Sequence, residues 1–401
     1  MAEQAWIIGT AMTKFGRYPD RDTVDLASEV ALDALDDAGA TIADMQTLAV
    51  GCLMEANAML GQRLQKQIGQ TGVPVYNVAN ACATGATAVR TALLSIKAGE
   101  ADMALAVGVE QMGKAGLLGP AGQARAKPAG FQRSGRYGSV MPVEGVLGTQ
   151  LMPGVFAQAG MEYASRHSGV GFEQFAKVAE KNHAHSALNP LAQYQKAFSL
   201  EEIMGADMVA YPNTLLMCCP TGDGAAAVVL CSDAKLKTLD PDVRRRAVKI
   251  SASVLTSDPY VESDTAQPDV STLTKRAAAA AYEQAGVGPE DLDLVELHDC
   301  FATAELIHYE NLSLCEPGGA GDFIDRRGPW RDGQTPVNVS GGLISKGHPI
   351  GATGVANIYE VSTHLRGEAR DRQIEGARVG LTHVIGLGSA CGVHVLERAA
   401  S

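Results

Sequence analysis

Aromatic residues are scarce in this chain, 5% of 401, while Gly reaches 44 and Ala is abundant. Side chains this small suit close packing of helices on a sheet better than a β-sandwich. Basic charge is not in excess either: 33 Lys and Arg stand against 45 Asp and Glu, a formal net charge of −12. A nucleic-acid binder needs a dominant basic footprint, so that class is excluded. No CxxC pair occurs among Cys52, Cys82, Cys218, Cys219, Cys231, Cys300, Cys315 and Cys391, which removes a zinc site built from such pairs. Eight thiols in an acidic chain of this length fit a reducing compartment better than a disulfide scaffold. No apolar run reaches the ~18 residues a membrane span needs. The opening residues, with Glu3 ahead of a short apolar run, do not read as a signal peptide, and the ending Glu397-Arg398-Ala399-Ala400-Ser401 is not a peroxisomal SKL address. The expectation is a cytoplasmic protein. What is present is apolar mass: 46% hydrophobic and only 19% charged residues exclude global disorder and allow a large core.

The chain alternates Ala-rich helical periods with short apolar runs. Val24 to Ala38 reads as a helix stopped by Gly39, and Thr47 to Gly51 as a buried strand. Ala83 to Ala98 reads as a helix stopped by Gly99, and Met103 to Val109 as the next buried strand. This is α/β punctuation. The second half repeats the message. ALDDAGATIADMQTLAVG, ending at Gly51, matches AYEQAGVGPEDLDLVELH, ending at His298: helix, Gly stop, acidic turn, buried strand. Further on, Cys82-Ala-Thr-Gly-Ala-Thr-Ala-Val matches His348-Pro-Ile-Gly-Ala-Thr-Gly-Val. Two matches in the same order favour a duplicated α/β unit, in which Cys82 and His348 each open a helix after a strand. Ligands of open α/β sheets bind beyond the carboxyl ends of strands, so a pseudo-dyad can bring both side chains to one pocket.

Between the halves the pattern changes. Residues 113 to 143 carry Lys114, Arg125, Lys127, Arg133 and Arg136, many glycines and no acidic residue. The segment reads either as a solvated or oligomer-contact loop, or as a lid that meets an anionic ligand such as a nucleotide phosphate. Pro220 to Asp233 reads as a turn and buried strand that returns to the first half.

Four positions carry candidate chemistry. Cys82 lies among small residues ahead of a helix, whose free N–H groups and positive dipole end are expected to lower the thiol pKa and supply a nucleophilic thiolate. His348, set between Gly347 and Pro349, suits a general base presented to a pocket. His298-Asp299-Cys300-Phe301 follows the strand Leu292 to Leu297; there His298 can donate to an oxyanion, directly or through water, and Cys300 can act as an acid/base thiol. Against these stand plainer readings, a buried Cys acting as a small hydrophobe and histidines acting as helix caps. The glycine turn Gly386-Leu387-Gly388-Ser389 after the strand Val379 to Val384 can offer backbone N–H groups to an oxyanion, but lacks the GxGxxG dinucleotide pattern. No metal site is expected. His183 and His185, two residues apart and so not on one helix face, are expected on a helix surface.

At these residues the sequence resembles the thiolase superfamily. Asn80-Ala-Cys82-Ala-Thr-Gly85 resembles its nucleophile motif, and Gly347-His348-Pro349-Ile-Gly351 its GHP motif. His298-Asp-Cys300-Phe301 is similar to the variant motif of the sterol-carrier-protein class. Lys181-Asn-His183-Ala-His185-Ser186, Pro220-Thr-Gly-Asp223-Gly224 and Gly341 to His348 resemble further segments of that class. The resemblance implies a duplicated thiolase fold, five-layered αβαβα, with residues 1–112 and 213–240 as the N-terminal half, 113–212 as an inserted loop domain and 241–401 as the C-terminal half. It implies an acyltransferase of fatty-acid and lipid metabolism, a homodimer or tetramer, with acyl-CoA and coenzyme A as substrates and no tightly bound cofactor. Cys82, His298, Cys300 and His348 would be catalytic; Cys82, His298 and Gly386 would form oxyanion holes; Met161, Cys219, Arg125 and Lys127 are candidates for substrate contact. One departure stands out. The second catalytic cysteine of ordinary thiolases falls at Val384, so the resemblance gives its role to Cys300. Two other activities fit less well: a thiolase-fold aldolase that cleaves 3-hydroxyacyl-CoA with a partner protein, and a non-catalytic acyl-CoA or lipid binder.

Overall fold

The computed structural model describes residues 4–113, 151–259, 270–387 and 390–399. Among these residues, nine strands form one mixed sheet: β1 (Ala5–Met12), β2 (Thr47–Gly51), β3 (Val75–Val78), β4 (Met103–Gln111), β7 (Asp223–Ser232), β8 (Val248–Thr256), β9 (Leu294–Glu296), β10 (Val379–Gly386) and β11 (Ala390–Arg398). β5 (Met208–Ala210) and β6 (Asn213–Thr214) make a separate small hairpin. The strands expected from their apolar runs are there; the run at Leu292 to Leu297 is shorter as a strand, and the one from Val379 runs on to Gly386.

The duplication is visible in the strand order, β3-β2-β4-β7-β1-β8-β11-β10-β9. A seam between β1 and β8 holds only two register pairs, Trp6 with Lys249 and Ile7 with Val248. Outward from it, β1, β7 and β4 pair antiparallel, then β4, β2 and β3 pair parallel. On the other side β8, β11 and β10 pair antiparallel, β10 and β9 pair parallel, and Val295 of β9 bridges Val337 in parallel. The two halves repeat one order and one alternation of pairing.

Helices then make the layers. The Ile350–Arg366 helix packs against β4 and β7 of the first half and β10 and β11 of the second, and the Thr84–Lys97 helix lies alongside it. Every residue of Ile350–Arg366 except Tyr359 and Arg366 is buried, as a helix enclosed between two sheet layers must be. The Thr23–Asp37 helix covers the outer face of the first half, and Val270–Ala285 that of the second, with Ala302–Asn311 packed against it. The result is αβαβα.

The two central helices cross at their N-terminal ends on glycine. A Cβ on Gly85 would sit 2.8 Å from the Gly351 carbonyl oxygen, and one on Gly351 would sit 2.8 Å from that of Gly51. Backbones this close exclude any side chain, so Gly85 sets how near the two helix starts can come and Gly351 how near its helix start comes to the end of β2. Cys82 and His348 lie just ahead of those starts.

Candidate active site

Cys82 sits in a turn closed by the bonds Ala83 N–H to Asn80 O and Thr84 N–H to Ala81 O. Ala81 ahead of it is left-handed, φ 46°, a conformation that costs a residue with a Cβ roughly 1–3 kcal/mol and recurs at functional sites. A Cβ on Gly386 would lie 2.7 Å from Asn80 O and 3.2 Å from Cys82 N. The end of β10 therefore lies directly on the backbone of the cysteine turn.

His348 follows a segment with its own anchors. Gly342–Lys346 is a single π-helical turn, a form that recurs at functional sites. Asp299 holds it: its carboxylate accepts from Leu343 N–H at 2.7 Å, Ile344 N–H at 3.2 Å and Asn182 Nδ2 at 2.8 Å. The residue between His298 and Cys300 thus ties their strand end to the loop that carries His348. Burial, and then the charge of Glu305, push the Asp299 carboxyl well above its ordinary range. Glu305 forms a buried ion pair with Lys181 at 2.8 Å and accepts from Asn182, Asn338 and Tyr309.

These elements bring three side chains together. One ligating atom from each of Cys82, His298 and His348 (Sγ or a ring nitrogen) lies within 4.8 Å of the other two. The imidazoles of His298 and His348 meet edge to face, centroids 5.2 Å apart. All three residues are buried, with 6%, 1% and 5% exposure. Cys300 is buried beside them; its carbonyl accepts from Cys219 N–H at 3.0 Å, and Cys219 and Cys82 are the thiols that add to burial in raising its pKa. Cys219 is itself raised well above the ordinary value, by burial first. Met161 is exposed on the Leu151–Arg166 helix and is not part of this cluster. Arg125 and Lys127 lie outside the described residues, as do Gly388 and Ser389.

The charge state differs from the sequence expectation. The Cys82 thiol is not lowered by its helix; burial, and then the Glu110 carboxylate, push it up to about 12, against the opposing pull of its own N–H. Desolvation outweighs the helix end because it acts on the whole thiolate charge, whereas a helix end contributes about half a charge. Burial likewise depresses His348 to about 3 and His298 well below the ordinary imidazole value. The resting pair is a neutral thiol and a neutral imidazole. Each shift is a penalty on an isolated charge, so thiolate and imidazolium form most readily together.

The tautomer of His348 follows from its neighbour. Its Nδ1 lies 2.7 Å from Thr353 Oγ1, and that hydroxyl donates its one proton to Pro349 O at 2.9 Å. Nδ1 must therefore carry the hydrogen and donate, leaving the Nε2 lone pair free. Nε2 is buried with no hydrogen-bond partner among the described residues, which is the state a general base needs.

Sequence reading missed two residues here. Thr353 lies in the first turn of the helix after His348, a position set by three-dimensional reach rather than by a motif. Glu110 is fully buried and accepts from Leu53 N–H at 2.8 Å, Met54 N–H at 3.1 Å, Cys52 Sγ at 3.2 Å and Gly351 N–H at 3.2 Å. It clamps the first half onto the start of the His348 helix. A lone acidic residue in the apolar strand β4 was its signal.

His183 and His185 are corrected: both are buried, 1% and 3% exposed, not on a surface. Their helix, Phe172–Ser186, packs against the π-turn on one side and the Ala302–Asn311 helix on another, so no face is left to solvent at its C-terminal end. His183 Nε2 meets Leu216 O at 2.9 Å and its Nδ1 meets Ser345 Oγ at 3.0 Å; His185 links Asn338 O and Arg331 N–H.

Comparison with known proteins agrees across the chain. The family model described as "Thiolase, N-terminal domain" matches residues 5–214, and "Thiolase C-terminal domain-like" matches residues 259–398. Sterol carrier protein 2 of Homo sapiens is 39% identical over 394 residues, covering 96% of this chain and 70% of that protein. Acetyl-CoA acetyltransferase of Methanothermobacter thermautotrophicus is 35% identical over 400 residues, covering 98% and 99%. A solved Ltp2-ChsH2(DUF35) aldolase superposes with a TM-score of 0.80 at 22% identity, covering 98% of each chain.

Proposed function

This chain belongs to the thiolase family, and on that premise we propose that it transfers an acyl group between a 3-oxoacyl-CoA and coenzyme A through an acyl-enzyme on Cys82. The observation that carries the reading is the buried convergence of Cys82, His298 and His348, with the His348 Nε2 lone pair unpartnered among the described residues. The similarity to an acetyl-CoA acetyltransferase supports acyl transfer with coenzyme A as co-substrate.

In cleavage, His348 Nε2 takes the Cys82 proton and Sγ attacks the 3-keto carbon. The C2–C3 bond then breaks. The acyl group stays on Cys82, and the electron pair passes to an acyl-CoA enolate that Cys300 protonates. Cys300, now a thiolate, takes the proton of the second CoA thiol, whose sulfur collects the acyl group, and His348 returns its proton to the freed Cys82. Synthesis reverses each step, with Cys300 as the base at the α-carbon. The backbone N–H groups of Cys82 and Gly386 serve the tetrahedral oxyanion, and His298 with His348 the enolate oxygen. Each preorganised donor is worth about 3 kcal/mol. The proposal extends to a homodimer or tetramer in the cytoplasm, with no tightly bound cofactor; among the described residues no helix is long and apolar enough to cross a membrane.

The deciding experiment is CoA-dependent cleavage of a panel of 3-oxoacyl-CoAs, from acetoacetyl to bulky branched chains, with acyl-CoA release as readout. Acetyl-CoA that binds but never labels Cys82 would leave a non-catalytic binder instead. The likeness to the aldolase structure favours one other reading, cleavage of a 3-hydroxyacyl-CoA with a partner protein. Turnover of 3-hydroxyacyl-CoA but not 3-oxoacyl-CoA would select it.

A further inference from the structure

The same three side chains have a second chemical identity. One thiol and two neutral imidazoles are the donor set of a tetrahedral site for a soft divalent cation, with a fourth position left for a small ligand. Two observations make the set available. Among the described residues, His348 Nε2 and His298 Nδ1 are both buried without a hydrogen-bond partner, so no described group commits the lone pairs at the site. The donor atoms are already within 4.8 Å of one another, and zinc bonds of ~2.0 Å to nitrogen and ~2.3 Å to sulfur bring ligands about 3.5 Å apart. The gap left to close is at most about 1.3 Å. Thr353 meanwhile fixes the outer nitrogen of His348 by accepting its N–H, as partners of metal-bound histidines do.

We propose that Cys82, His298 and His348 form a reversible binding site for a thiophilic divalent cation, zinc above all, and that the bound cation shuts off the enzyme by occupying the sulfur that would carry the acyl group. Cation binding stands on the geometry of these side chains alone, and the inhibition rests on the acyl-transfer reading. On binding, the Cys82 thiol gives one proton to solvent and its sulfur bonds the cation; each imidazole contributes a nitrogen lone pair, and no group is oxidised or reduced. Zinc and acyl groups compete for one atom, so acyl-CoA should protect against inhibition.

Cobalt(II) titration of the metal-free full chain tests this, because a cobalt–thiolate bond has its own charge-transfer absorption. The expected result is a thiolate band saturating at one cobalt per chain, displaced by zinc, removed by a chelator and abolished by Cys82→Ala. His298→Ala should weaken binding at least tenfold, and Cys300→Ala and Cys219→Ala should keep the band. Zinc should slow iodoacetamide labelling of Cys82 in proportion to occupancy. A band that survives Cys82→Ala, or follows Cys219 or Cys300, overturns the assignment, as does labelling of Cys82 indifferent to zinc. A chain that binds cobalt but transfers no acyl groups when metal-free sinks the enzymatic reading alone; a chain that turns over unaffected by zinc sinks this one alone.

Discussion

His348 and Thr353 are joined by a 2.7 Å hydrogen bond whose direction is fixed, because the threonine proton already goes to Pro349 O. The bond holds the imidazole in the tautomer that leaves Nε2 basic, in a site where burial keeps the ring neutral. Thr353→Val keeps shape and removes the acceptor. It should lower kcat for 3-oxoacyl-CoA cleavage by roughly 10–100-fold, part of the ~10²–10⁴-fold a positioned general base contributes, with a smaller effect on KM. Thr353→Ser should restore most of the rate. A valine variant of wild-type kcat would remove Thr353 from the mechanism.

The roles proposed for Cys82 and Cys300 can be separated. Cys82→Ala should abolish both turnover and covalent acyl labelling; acyl-enzyme formed without it would refute the nucleophile assignment. Cys300→Ala should still become acylated by a simple acyl-CoA but lose exchange of the α-proton with deuterated water. Unchanged exchange would exclude Cys300.

The electrostatics of Cys82 give a pH signature. With the thiol near 12, its alkylation by iodoacetamide should keep climbing beyond pH 9, the ordinary thiol value, without a plateau. Glu110 contributes to that shift, so Glu110→Gln should lower the thiol pKa and speed alkylation at neutral pH. Slower or equal labelling in a variant shown to be folded by circular dichroism would contradict this.

Gly386 has no room for a side chain beside Asn80 O and Cys82 N. Gly386→Ala should displace the cysteine turn and reduce kcat by roughly 10²–10³-fold, the scale of a lost oxyanion donor. Wild-type turnover would place Gly386 outside the site.

Buried histidines make the fold acid-sensitive. Burial holds His308, His348 and His394 at about 3 and His364 at about 4, below the ordinary 6.5. Since the folded values are depressed, the unfolded chain binds more protons between pH 6.5 and these values. Stability is therefore complete above pH 6.5 and is lost as pH falls, at up to about 1.4 kcal/mol per pH unit for each histidine. Urea midpoints at pH 7 and pH 5 should differ markedly, and His394→Asn should flatten the dependence. Equal midpoints would show that these rings are not held neutral.

Much of this was legible in the sequence because it is written in local order. Gly39 and Gly99 stop helices, apolar runs mark buried strands, and two repeated segments announce a duplicated α/β unit. The motifs around Cys82, His298 and His348 sit next to helix starts and strand ends, which neighbouring residues dictate. Tertiary structure decided the rest. Whether the Cys82 thiol rises or falls depends on how completely water is removed and on Glu110 arriving from β4, and neither has a trace in the residues flanking the cysteine. His183 and His185 look like surface residues until other segments close over their helix. The Thr353 bond, the Glu110 clamp and the crossing at Gly85 and Gly351 likewise join atoms that only the folded chain makes neighbours. Local sequence sets backbone geometry and which groups are offered; desolvation and the partners of each group come from distant segments packing together, and those fix the proton positions on which the chemistry turns.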